Sequence, residues 1–229
     1  MELHGLQKMT LLDFPGKVAC TVFLGGCNLR CPYCHNSGLI RPDAPPATDS
    51  GALLDFLRKR RGLLDGVAFT GGEPLLRDLR PLLREVRALG YAVKLDTNGT
   101  RPDRLSEVLE EGLADYVAMD VKNSPERYAE TAGLPALDLT PIRESIALLL
   151  RGRADYEFRT TAVAQLHDEA SFLGIGEMIR GARRWFLQPF ADRDSVAYAG
   201  FTPPDSAALA RYVALMRPFV EQAELRGAE

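Results

Sequence analysis

The sequence predicts an α/β fold on a parallel sheet. Short apolar strands alternate with segments of helical period, and chemically loaded residues recur just after the strands. Six segments read as strands: 17–23 (KVACTVF), 66–70 (GVAFT), 91–97 (YAVKLDT), 115–121 (DYVAMDV), 156–163 (YEFRTTAV) and 184–190 (RWFLQPF). Each is rich in β-branched or aromatic residues and bounded by Gly, Asp or Pro. Helical periodicity falls between them, at about 49–61, 77–89, 103–111, 140–151 and 168–183. Asp49-Ser50 and Pro102-Asp103 read as helix starts, and Thr140 as an N-cap with Pro141 in the first turn. Gly90 and Gly112 stand where left-handed C-caps are expected. The Pro-rich segment 41–48 (RPDAPPAT) reads as an irregular connection. Residues 202–229, opened by Pro203-Pro204, read as one amphipathic helix with a frayed, charged end. Right-handed crossovers would place the strands in one sheet, compatible with either an open doubly wound arrangement or an incomplete barrel. No linker, repeat or low-complexity tract divides the chain, so residues 1–229 read as a single domain.

Composition narrows the function classes. Hydrophobic residues make up 46% and charged residues 26% of the 229, which excludes a disordered or fibrous chain. A formal net charge of −3 gives no reason to expect a nucleic-acid partner. No apolar run approaches ~18 residues and no secretory leader is visible, so the expectation is a cytoplasmic protein with no membrane span.

All four cysteines, Cys20, Cys27, Cys31 and Cys34, lie close together in the first part of the chain. A disulfide framework would spread them to close loops, so the clustering points to metal or redox chemistry. The segment GGCNLRCPYCHN at 25–36 spaces three of them as Cys27-x3-Cys31-x2-Cys34. Three thiolates on a short loop leave one metal position open, the mark of a catalytic centre. A zinc site completed by His35 or by a distant residue is the competing reading. Cys20 sits in the VACTV alternation and reads as a small buried hydrophobe.

This spacing, with aromatic Tyr33 before the last cysteine, resembles the signature of radical S-adenosylmethionine (SAM) enzymes. The resemblance implies a [4Fe–4S] cluster held by Cys27, Cys31 and Cys34, whose fourth iron binds SAM. It also implies a partial, six-stranded (β/α)6 TIM-like barrel. Phe69-Thr70-Gly71-Gly72-Glu73-Pro74 after the second strand resembles the family segment that receives the SAM amino group, with Glu73 as acceptor. Asn98, in Asp96-Thr97-Asn98-Gly99, and Asp120 and Lys122, in Met119-Asp120-Val121-Lys122, resemble residues lining the SAM site of glycyl-radical-activating enzymes. The resemblance thus assigns cofactor contacts to Tyr33, His35, Gly71, Gly72, Glu73, Asn98, Asp120 and Lys122. Asp96 and Asp120 could share a small cation. Of Thr160 and Thr161, strand alternation makes one a structural residue; Gln188 is a weak candidate for an adenosine contact, and His167 falls in a loop or at a helix start.

The flanks narrow the resemblance. Residues 5–36, with Leu-Leu-Asp-Phe-Pro-Gly before the first strand and Cys-His-Asn after the cluster motif, look like the start of activating proteins of anaerobic ribonucleoside-triphosphate reductase. The implied partners are that reductase, which would acquire a glycyl radical, and a flavodoxin- or ferredoxin-type electron donor. The chain shows no extra cysteines for auxiliary clusters and no appended substrate domain, which suits a macromolecular substrate. A small-molecule enzyme such as a 7-carboxy-7-deazaguanine synthase is the alternative. A non-catalytic zinc module is the more distant one.

Overall fold

The computed structural model describes residues 1–41 and 43–227. Pro42, in the Pro-rich segment, and the last two residues lie outside the described set. The elements run β1 (Glu2–Leu3), β2 (Gly5–Thr10), β3 (Ala19–Leu24), β4 (Thr48–Asp49), α1 (Ser50–Lys59), β5 (Gly66–Gly71), α2 (Arg80–Ala88), β6 (Ala92–Thr97), α3 (Pro102–Glu110), β7 (Tyr116–Asp120), α4 (Tyr128–Thr131), α5 (Thr140–Leu150), β8 (Asp155–Ala162), α6 (Glu169–Met178), β9 (Ala182–Pro189), α7 (Ser206–Met216) and β10 (Val220–Leu225). The main sheet has the order β10-β9-β8-β7-β6-β5-β3-β2, parallel throughout except for β2. The six expected strands are the consecutive parallel set β3, β5, β6, β7, β8 and β9, a partial barrel extended by one strand at each edge.

The two faces of these strands differ sharply, because alternate side chains point to opposite sides. One face packs Val67, Phe69, Val93, Leu95, Val117, Met119, Phe158, Trp185 and Leu187 into the main apolar core. Cys20 belongs to that core, fully buried with its thiol pushed up to about 12 by burial, an inert small hydrophobe as expected. The opposite face carries Lys94, Asp96, Tyr116, Asp120, Glu157, Arg159 and Gln188. Below them Phe14, from the Leu-Leu-Asp-Phe-Pro-Gly segment, packs against Tyr116 with ring centroids 6.2 Å apart. Tyr116 and Arg226 both bond the fully buried Glu157, Tyr116 at 2.6 Å and Arg226 in a two-pronged contact at 2.7 and 2.9 Å. This end is therefore closed, which leaves the C-terminal strand ends as the open mouth.

Several local expectations hold. Asp49 caps α1 by accepting from the Ala52 amide, and Gly90 and Gly112 adopt positive φ after α2 and α3. Others change. Thr140 is the first residue of α5, and Asp138 is the side chain that accepts its amide. The helix expected over 168–183 ends at Met178, and its last residues open β9. The C-terminal segment is two elements: α7 stops before Pro218, whose missing amide and ring cannot continue a helix, and β10 then pairs parallel to β9. The N-terminal strand β2 was not expected either; it pairs antiparallel to β3 and covers that edge.

Candidate functional site

At the mouth lies a cavity of about 220 Å3 lined by Cys27, Cys31, Cys34, Tyr33, His35, Asn36, Gly71, Gly72, Thr97, Asn98 and, deeper, Asp96, Asp120, Lys122, Arg159, Thr161 and Gln188. It brings together every sequence-assigned site residue except Glu73. It lies where parallel barrels and open α/β sheets place their sites, at the carboxyl ends of the strands.

The cluster-motif loop leaves β3 and is clamped by the Gly-Gly turn after β5. Gly72 N–H donates to Leu24 O at 2.7 Å and Glu73 N–H to Gly26 O at 2.8 Å. A Cβ on Gly72 would come within 2.0 Å of Gly26 O, and Gly71 has φ +113 with Leu24 backbone 2.5 Å from any Cβ. Both glycines are thus required by backbone-on-backbone approach. Asn36 Nδ2 closes the far side by donating to Gly71 O at 3.1 Å. Asn98 ties in the end of β6: it donates to Asn28 Oδ1 at 3.0 Å and accepts from Thr100.

Glu73 departs from its expected role. Its carboxylate is 1% exposed and does not line the cavity. One oxygen accepts from Leu75 N–H and the Thr97 hydroxyl, the other from Asn98 N–H at 2.6 Å. Burial nevertheless pushes its pKa up to about 7, against the pull of these three donors. Glu73 therefore joins the Gly-Gly turn to the β6 end, and Thr70, Gly71 and Gly72 are the residues of this segment that line the cavity.

The cavity floor is a ladder of alternating charge. Lys94 pairs with Asp96; Arg159 bonds Asp120 at 3.0 Å and lies 3.4 Å from Asp96; Lys122 Nζ donates to Asp120 at 3.0 Å. The strand register makes the ladder, setting Asp120 beside Arg159. The cation shared by the two aspartates is thus the Arg159 guanidinium, which corrects the expectation of a small bound ion. Burial disfavours the charges of Asp120 and Lys122, but opposite partners outweigh it: Lys122 and Arg159 bring Asp120 down to about 2, and Asp120 holds Lys122 well above the usual lysine value.

Of the remaining candidates, Thr160 is the structural one, donating to Val121 O and accepting from Trp185 Nε1, while Thr161 and Gln188 line the cavity. His167 is buried before α6; its Nδ1 accepts the Val163 amide, so Nε2 donates to Lys122 O at 2.8 Å and fixes that backbone. His35 stacks on Phe190 at 5.5 Å and reaches Ala191 O at 2.7 Å, joining the motif loop to the segment after β9. Segment 123–133 went unremarked in the sequence. It backs the motif loop, with Arg30 N–H donating to Ala132 O and Gly133 packed against Arg30 O. Its signal was Gly133, whose φ of +70 and lack of side chain the contact requires.

The donor set fits an iron–sulfur cluster. All three motif cysteines are free thiols on one cavity wall. Burial pushes all three up, Cys31 to about 11, and the Lys122 ammonium pulls each back down. Among the described residues no three His, Cys, Asp or Glu side chains stand together as a ligand set for one ion. Three thiolates leave one metal position open, and thiolate sulfur is the donor that holds iron–sulfur clusters.

A Cys-x3-Cys-x2-Cys loop beside a charged cavity at the mouth of a partial barrel defines an enzyme that holds an open-sited cluster next to a small polar ligand. The family model of the Radical SAM superfamily matches residues 21–169, and the chain belongs to that superfamily. Its cofactors are a [4Fe–4S] cluster and SAM. Over 201 residues the chain is 30% identical to a protein of Methanocaldococcus jannaschii described as "Putative glycyl-radical enzyme activating enzyme", covering 84% of this chain and 81% of that one. It is 39% identical over 87 residues to the 7-carboxy-7-deazaguanine synthase of Rhodospirillum rubrum, covering 38% of this chain and 36% of that one. Among solved structures, a radical SAM methyltransferase from Sphaerobacter thermophilus superposes with a TM-score of 0.71 at 16% identity, over 96% of this chain and 69% of that one. Among the described residues no helix is long and apolar enough to cross a membrane.

Lys122 lines the cavity with its ammonium held on Asp120. Lys122→Ala is expected to weaken SAM binding roughly ten- to hundred-fold, the effect of about 1.5–3 kcal/mol for a charge-assisted contact. Iron content should not change. Equilibrium binding to the reconstituted protein checks this.

Proposed function

We propose that the protein is a glycyl-radical-activating enzyme whose substrate is the anaerobic ribonucleoside-triphosphate reductase. When bound, and given one electron by a flavodoxin- or ferredoxin-type donor, the cluster and SAM supply a 5′-deoxyadenosyl radical that can take a hydrogen atom from a glycine α-carbon.

The chain's residues do the positioning. Cys27, Cys31 and Cys34 hold the cluster and leave one iron open. The Gly71-Gly72 backbone receives the SAM amino group, Lys122 its carboxylate, and Asn98 its ribose or carboxylate. Tyr33 and His35 flank these contacts, and Asp120 orients Lys122. No general base is needed: the work is orientation and exclusion of water.

The observation that carries this reading is the 30% identity, over 84% of this chain, to a relative described as a putative glycyl-radical enzyme activating enzyme. The cavity, about 220 Å3, opens at the carboxyl ends of the strands. Below it the barrel is filled by the ladder from Lys94 to Lys122 and by Glu157 with its partners. A glycine loop of a large partner can enter from the mouth. Glycine suits such an approach because it has no side chain to obstruct the α-carbon. The long match to the Methanocaldococcus jannaschii relative supports the same choice over the shorter match to the deazaguanine synthase.

The test offers the reduced, reconstituted protein SAM together with either the reductase of the same organism or a deazapurine precursor. SAM cleavage is expected to be coupled to the reductase. Productive turnover of the precursor alone would transfer the assignment to the small-molecule class.

A further inference from the structure

Among the described residues one buried side-chain oxygen or nitrogen has no hydrogen-bond partner: the hydroxyl of Tyr33. Buried donors are nearly always matched, so an unmatched one marks a place where a partner is missing. Tyr33 is 4% exposed, and its ring is fixed by Val163, Leu166 and Phe190. Cys31 packs against the same cluster, and its sulfur heads the charges acting on the Tyr33 hydroxyl.

The three motif thiols are unequally supplied with donors. Cys27 Sγ accepts the Leu29 amide at 3.4 Å and has Asn98 Nδ2 at 3.9 Å. The Asn36 amide pulls the Cys34 thiol down against the effect of burial. Cys31, the most enclosed of the three, has no such donor among the described residues. The unmatched hydroxyl and the undonated sulfur therefore stand two residues apart on one loop.

We infer that the Tyr33 hydroxyl is a hydrogen-bond donor to the sulfur at Cys31, the thiolate or the cluster sulfide beside it, and that it raises the reduction potential of the cluster. A reduced cluster carries one more negative charge on its irons and sulfurs. A hydrogen bond to sulfur stabilises that form more than the oxidised one. Tyr33 is a positioning and tuning residue in this role; Phe would keep the ring and lose the donor.

The inference rests on the cluster and not on the identity of the partner protein. The test uses the reconstituted full chain without SAM, with iron and sulfide content matched between variants. In an electron paramagnetic resonance redox titration, Tyr33→Phe is expected to shift the midpoint potential to a more negative value. In deuterium oxide it should also lose an exchangeable deuteron coupled to the reduced cluster. If Tyr33→Phe does not hold a cluster, 3-fluorotyrosine placed at position 33 alone serves instead; its more acidic phenol should move the potential the other way. An unchanged potential in the variant measured overturns the inference. So does a shift that appears only once SAM is added, which would assign the hydroxyl to SAM.

Discussion

Ala at any one of Cys27, Cys31 or Cys34 is expected to abolish assembly of an intact [4Fe–4S] cluster, whereas Cys20→Ser should leave its absorption spectrum in place. The three motif cysteines share one cavity wall and the fourth cysteine is on the other face of β3, among core aliphatics. No other thiol in the chain can replace a missing ligand, because Cys20 cannot reach the cavity without turning the strand over. Cys20→Ser puts a hydroxyl into an apolar site, at a cost of about 1–3 kcal/mol of stability. Iron and sulfide analysis after anaerobic reconstitution checks the first half, and urea unfolding the second. A cluster retained without one of the three, or lost with Cys20→Ser, would overturn the ligand assignment.

The second large effect is expected at Arg159. Among the described residues its guanidinium is the one cation that pairs with both Asp96 and Asp120, so Arg159→Met removes their shared partner. Lys94 still pairs with Asp96 and Lys122 with Asp120, so the cost is expected to fall below the ~3–5 kcal/mol of a buried charge left unpaired. Arg159→Lys, which keeps the charge but loses the planar fork, should cost less. Urea midpoints of the two variants measure the difference. The pH dependence has a definite sign. Asp120 is held near 2 in the folded protein, below its ordinary value of 3.8, so its contribution is fully present above about pH 4–5 and is lost as pH falls towards 2. Glu73 acts oppositely: its folded value of about 7 lies above 4.5, so stability falls as pH rises between those values. Asp120→Asn should remove the acid-side loss, and equal acid sensitivity in that variant would contradict the ladder.

The cluster loop and the strands that carry the site were legible in the sequence because each has a local signal. The cysteine spacing, the Gly-Gly turn and the period-2 runs need no knowledge of distant residues. The charge ladder was not legible. Asp96, Asp120 and Arg159 lie on three different strands, and only the register decides that a guanidinium stands between the carboxylates. The same limit applies to Glu73, whose residue type suits an ammonium group but whose burial and three donors depend on the fold around it. The strand β10 was missed for another reason. Its sequence VEQAEL is polar at an exposed edge, and it followed a helical pattern without a change in composition. Pro218 was the available stop signal, and it marks the true boundary.

The central claim, that the cavity serves a glycine of a partner protein, is tested most directly by electron paramagnetic resonance of the reductase after reaction with the reduced, reconstituted protein and SAM. The expected signal is a glycyl-type doublet, split by the remaining α-hydrogen, which collapses to a narrower line when the reductase carries α-deuterated glycine. Deuterium should then be recovered in 5′-deoxyadenosine. A reductase that stays radical-free while SAM is cleaved, or deuterium that never reaches 5′-deoxyadenosine, would contradict it.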